Sequence, residues 1–124
     1  MSGNDEMFTY IGATGEEYRN CTFKWGRYGN GNVALMIESD EEGPIARCTV
    51  NPSEYIAFPY IVVKDWSENQ GMTEFLVSQG IVCGETKAEI ETGFVTAKVM
   101  MLTEKGQKMF EEEVGERREE ERGA

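Results

Sequence analysis

Apolar residues recur at every second position over most of this chain, and at helical spacing in only two places. The clearest alternation lies in residues 32–51. Val33, Leu35 and Ile37 share one side, Ser39-Asp40-Glu41-Glu42-Gly43 supplies turn chemistry, and Ala46, Cys48 and Val50 alternate afterwards. This pattern predicts two strands joined by an acidic turn. A hairpin with one apolar face needs a covering layer, so it is placed in the middle of one antiparallel sheet.

Flanking segments supply the rest of that sheet. Phe8-Thr9-Tyr10-Ile11 reads as a short strand broken at Gly12, and Cys21, Phe23 and Trp25 alternate in a second one. Residues 26–32, rich in glycine and asparagine, tolerate positive φ and turn the chain into the hairpin. Asn51-Pro52-Ser53 ends the hairpin, because proline has no amide hydrogen for a ladder. Tyr60 to Lys64 is a continuous β-branched run suited to a strand covered on both faces, starting after Pro59. Ile81-Val82-Cys83 reads as a strand ending at a Gly84-Glu85-Thr86-Lys87 turn. From Phe94 to Leu102, Val95, Ala97, Val99 and Met101 share one side while Thr96 and Lys98 point outward.

Two stretches change period. Ser67-Glu68-Asn69-Gln70 matches a capping box, Met72, Phe75 and Leu76 follow at helical spacing, and Gly80 is placed as the stop of a helix of about three turns. Thr103 caps a final helix anchored by Met109, Phe110 and Val114. The expected architecture is α+β: an antiparallel sheet of about five strands with two short helices. It forms a single domain over residues 1–115, followed by a charged tail over 116–124. The first seven residues are polar and read as frayed.

Charge narrows the function. The chain of 124 residues carries 23 acidic and 12 basic side chains, no histidine, and a formal net charge of −11. Such a surface repels nucleic-acid phosphates and anionic lipid and steers basic partners toward itself. Direct nucleic-acid binding is therefore disfavoured, and the acidity serves either solubility or docking on a basic protein. An acidic N-terminus and the lack of any eighteen-residue apolar run predict a soluble, cytoplasmic protein with no membrane contact.

Without histidine, Ser-His-Asp and Cys-His nucleophile systems are excluded, as are histidine metal sites. Paired carboxylates at Glu41-Glu42, Glu89-Glu91 and Glu111-Glu112-Glu113 fall in turns or solvated faces, where the exposed-face reading outweighs a catalytic one. The glycine-rich loop lacks the Walker pattern and a following helix. The protein is accordingly read as no enzyme. Cys21, Cys48 and Cys83 show no C-x-x-C spacing. They are either buried free thiols or, if neighbouring strands gather them, three ligands of a structural zinc.

Interaction chemistry is better supplied. Aromatic residues gather near turns and strand ends, with carboxylates close to them in sequence. The candidate partner-binding set is Glu38, Asp40, Glu41, Glu42, Tyr55, Phe58, Asp65, Trp66 and Glu68.

The run GNVALMIESDEEGPIARCTVN, followed by IVVKDWSENQGMTEFLVSQGIV, resembles a family of small domains encoded on conjugative and phage-derived elements of gut bacteria. Its pattern is a hydrophobic strand, an acid-glycine turn, a T-V-N strand end and a V-V-K-[DN]-[YW]-x-E-N stretch before a short helix. The match spans Trp25 to Val82. In size, charge and want of catalytic residues the chain is also similar to anti-CRISPR proteins, which inhibit type II CRISPR nucleases. That resemblance implies a protein-binding inhibitor that occupies a basic nuclease surface. The alternatives are a structural or accessory protein of a mobile element, self-associating through a sheet edge, and a zinc-stabilised interaction domain.

Overall fold

Strict alternation builds the first sheet. The computed structural model describes residues 6–93 and 95–115. Within them β1 (Phe8–Ile11), β2 (Glu17–Arg27), β3 (Val33–Ser39) and β4 (Gly43–Arg47) form an antiparallel meander in the order β1-β2-β3-β4. The β2–β3 register runs unbroken from Cys21 opposite Ser39 to Arg27 opposite Val33. Cys21, Phe23 and Trp25 therefore share one buried face with Val33, Leu35 and Ile37. The turn into β4 is organised by Ser39, whose Oγ donates to the Arg19 carbonyl and accepts from the Glu41 and Glu42 amides.

The hairpin's second strand does not run on to Val50 in the same ladder. The Cys48 amide still donates to the Leu35 carbonyl at 2.8 Å, but the Val50 amide donates to the Val62 carbonyl and the Lys64 amide to that of Cys48. Residues 48–50 thus hand the chain from the first sheet to a second, through an isolated bridge between Thr49 and Val63. The second sheet comprises β5 (Tyr60–Val63), β6 (Val82–Glu91) and β7 (Thr96–Leu102), all antiparallel in the order β5-β7-β6. The fold is α+β as expected, with two sheets of four and three strands in place of one sheet of about five.

Two other expectations are revised. The residues Gly84-Glu85-Thr86-Lys87 are not a turn but part of β6, which absorbs extra residues in bulges between Val82 and Ala88. An edge strand tolerates this, since only one of its sides needs a regular ladder. The strand β7 is apolar on both faces. Met100 and Leu102 enter the main core with Ile61 and Val63, whereas Ala97 and Val99 form a smaller cluster with Val62 under Val50, Ile56, Tyr60, Trp66 and Ile90. The run at β5 is buried on both faces, as its sequence requires.

Helix α1 (Met72–Ser78) spans two turns, shorter than the three expected. Its stop is as expected: Gly80 has φ 75°, its amide reaches the Val77 carbonyl, and the Ile81 amide reaches that of Leu76. Phe75 packs its ring against Phe8, Tyr10 and Phe23, fastening the helix to the first sheet. Helix α2 (Glu104–Phe110) is capped by Thr103, whose Oγ1 accepts from the Gly106 amide at 3.0 Å, and continues as a π-helical turn, Glu111–Gly115. Phe110 meets Trp25 edge-on and stacks on Phe58, closing the core between sheet and helix. The expected start of β7 at Phe94, the polar residues 1–5 and the charged tail 116–124 lie outside the described residues.

Candidate interaction surface

In an antiparallel meander, alternate turns share an end. The β1–β2 and β3–β4 turns therefore lie together, and the β2–β3 turn lies opposite. This places Glu16 and Glu17 at the same end of the sheet as Asp40, Glu41 and Glu42, all exposed, with the β1–β2 hairpin reaching four residues past Ser39. Asn20 of β2, at φ 55°, ties that strand to the β3–β4 turn: its carbonyl accepts from the Asp40 amide at 2.9 Å and its Nδ2 donates to Glu41 Oε2 at 3.0 Å. The Glu16 carboxylate accepts from the Thr14 hydroxyl. Among the described residues only Glu17 has a cationic partner there, Arg19 at 3.1 Å, and that pair is open to solvent and weak.

Tyr10 pairs with Tyr18, three residues before Cys21, which faces Ser39; Tyr10 thus lies past Ser39 on the acidic side. Burial first, and then neighbouring groups that include Glu68 and Asp65, push the Tyr10 hydroxyl above its ordinary pKa. The β5–α1 segment contacts the end of β4 remote from the acidic turn, where Asn69 Nδ2 donates to the Arg47 carbonyl at 2.6 Å.

The candidate set does not converge as one patch. Asp40, Glu41 and Glu42 cluster, with Glu38 half-buried one step up β3. Asp65 is engaged as the cap of α1, accepting from the Gly71 amide at 2.7 Å and the Thr73 amide at 3.2 Å. Glu68 is exposed and held to Lys64 at 2.6 Å; that hydrogen bond first, and then those of its own amide and the Ser67 hydroxyl, lower its pKa to about 2. Tyr55 is 61% exposed but covers Gly31 in the β2–β3 turn, at the far end of β3 and roughly 25 Å away by strand rise. Phe58 and Trp66 are half-buried, the first on Phe110 and the second on the smaller cluster. These two rings stabilise the fold rather than form an aromatic patch rimmed by acid.

Sequence spacing missed Glu16 and Glu17, which lie more than twenty residues from the Asp40 turn. The signal that finds them is topological: four consecutive antiparallel strands bring their first and third turns together.

The cysteines are dispersed. Cys21 and Cys48 are buried in the main core, and Cys83 is half-exposed on β6. Burial pushes the thiols of Cys21 and Cys48 above their ordinary pKa. No group of three or more His, Cys, Asp or Glu among the described residues is placed to hold a metal ion, so the three-thiolate zinc site is not assembled. The free edge of the second sheet, β6, carries Glu85, Lys87, Glu89 and Glu91, charges that oppose edge-to-edge pairing. Among the described residues no helix is long and apolar enough to cross a membrane. No protein-family model, curated protein or solved structure matches the chain.

Proposed function

We propose that the protein acts by binding rather than by turnover, and that its carboxylate-rich end docks on a basic surface of a protein partner. The observation that carries this reading is the placement of Glu16, Glu17, Asp40, Glu41 and Glu42 at one end of a meander, where among the described residues only Glu17 is in an ion pair. A concentrated field of one sign speeds encounter with an opposite surface and disfavours nucleic acid. Combined with the resemblance to anti-CRISPR proteins, it makes a type II CRISPR nuclease the partner of choice. The nuclease's nucleic-acid channel is basic, and an acidic plug there blocks DNA loading or the movement that licenses cleavage.

The test is a cleavage assay with purified nuclease, guide and target, run with size-exclusion co-elution. The reading expects a complex, cleavage lost with guide and target intact, and association that slows steeply as salt rises. Reversing Asp40, Glu41 and Glu42 to lysine removes inhibition while the unfolding curve stays put. Full cleavage at excess protein without co-elution sinks it.

A further inference from the structure

The outer face of the first sheet, turned away from the core, holds a depression of about 280 Å³. Register explains its lining. Lys24 pairs with Met36, which pairs with Arg47, so the three form one row across β2, β3 and β4. In the next row Gly26 pairs with Ala34, two small residues that make a low floor. Tyr28 closes the far side, its hydroxyl fixed to the Thr49 carbonyl at 3.1 Å and to the Thr49 hydroxyl at 3.0 Å. A Cβ placed on Gly26 would meet nothing within 4 Å, so the space above the floor is open.

This chemistry runs against the molecule's overall charge. In a protein of net charge −11, Lys24 and Arg47 are both exposed on the rim of one depression, and neither is in an ion pair with a described residue. Two strand spacings set their backbones about 10 Å apart, with Met36 between them and the open floor of Gly26 and Ala34 in the adjoining row. An ammonium and a planar guanidinium at that separation suit a carboxylate or phosphate, the guanidinium by a forked pair of bonds. The nearest carboxylate on this face, Glu38, lies on the side of the row away from Gly26 and Ala34. Beyond about 8 Å the acidic end is screened at physiological salt, so the local pair governs.

We propose that this depression binds a small anion carried on a single ring. The ring lies over Gly26 and Ala34 against Tyr28 and Met36, and its carboxylate or phosphate sits between Lys24 and Arg47. This site is independent of the docking end and stands or falls separately.

Amide chemical-shift titration of the full chain tests it, with phenyl phosphate and inorganic phosphate as probes up to about 10 mM, ten times a millimolar dissociation constant. Phenyl phosphate should shift the amides of residues 24–28, 34–36 and 47, and should bind at least about tenfold more tightly than inorganic phosphate, the equivalent of 1.4 kcal/mol. The Gly26→Leu variant fills the open space and should abolish these shifts. Lys24→Glu with Arg47→Glu should abolish them with an unchanged unfolding curve. Silence at the highest concentration overturns the proposal. So do equal responses to the two probes, or shifts in the charge variant like those of the wild type.

Discussion

The carboxylate of Asp65 accepts the backbone amide of Thr73, eight residues downstream, while its other oxygen takes the Gly71 amide. It thereby does the work of an N-cap that Gly71, in the cap position at φ 94°, has no side chain to do. Burial alone would raise this carboxyl, but hydrogen bonding by Thr73 and the Gly71 amide, helped by the charge of Lys98, outweighs it and holds the pKa below its ordinary value. A depressed folded pKa means stability that is present above the unfolded value and lost as pH falls through the folded one. Asp65→Ala should therefore cost about 1 kcal/mol at neutral pH. The gap between variant and wild type should close in acid below the ordinary aspartate value. Urea unfolding at neutral and acid pH measures it, and a gap that is independent of pH would reject the cap.

Asp65 also shows where sequence reading stops. The spacing from Ser67 to Gln70 matches a capping box, yet Ser67 adopts φ 58° and opens a single 3₁₀ turn, Ser67–Asn69, so the box never forms. A cap reached across a loop leaves no fixed spacing to read. Alternation was a sound guide to faces: Cys21, Phe23 and Trp25 on β2 and the odd positions of β3 are buried as their period demands. It says nothing of which strands share a ladder, so the transfer at Thr49 and Val63 was invisible and two sheets read as one. In β7 the methionines at 100 and 101 and Leu102 blur the period, because a strand between two cores needs apolar residues on both sides. The acidic turn was legible at Asp40, but its neighbours Glu16 and Glu17 required the topology.

The buried amide of Asn32 ties the loop after residue 50 to the start of β3. Its Nδ2 donates to Asn51 Oδ1 at 2.9 Å and to the Glu54 carbonyl at 3.0 Å, and its Oδ1 accepts from the Ile56 amide at 2.6 Å. Replacing it with alanine removes all three hydrogen bonds, each worth about 1 kcal/mol net. Asn32→Ala should lower stability by about 2 kcal/mol. It should also speed hydrogen exchange at Ile56 more than in the strands; uniform exchange across the chain would show that the residue does not hold this loop.

Gly106 sits inside α2, where alanine would normally stabilise a helix by about 1 kcal/mol. Here a Cβ would fall 2.5 Å from the Ile81 carbonyl oxygen and 3.2 Å from Leu102 Cδ2, so the helix must back away from the strand junction. Gly106→Ala should destabilise by about 1–3 kcal/mol despite the propensity gain. Gly84→Ala, where a Cβ meets nothing, is the control and should change stability by less than about 0.5 kcal/mol. Chemical denaturation of the pair reads the contrast directly, and a stabilised Gly106→Ala would mean that the helix does not approach Ile81 this closely.

The three cysteines should separate by reactivity. A thiolate is the attacking species, and burial raises the pKa of Cys21 and Cys48, leaving little of it in the folded protein. Cys83 is half-exposed on the bulged edge strand. An aromatic disulfide reagent should label one thiol per chain in the native state and three in denaturant, with mass mapping placing the native label at Cys83. Since no three of these groups are disposed around a common point, a strong chelator should leave the melting temperature where it was. A chelator-induced drop, accompanied by native-state labelling of Cys21 and Cys48, would show instead that a bound metal draws the thiols together and that the two-sheet core is arranged around it.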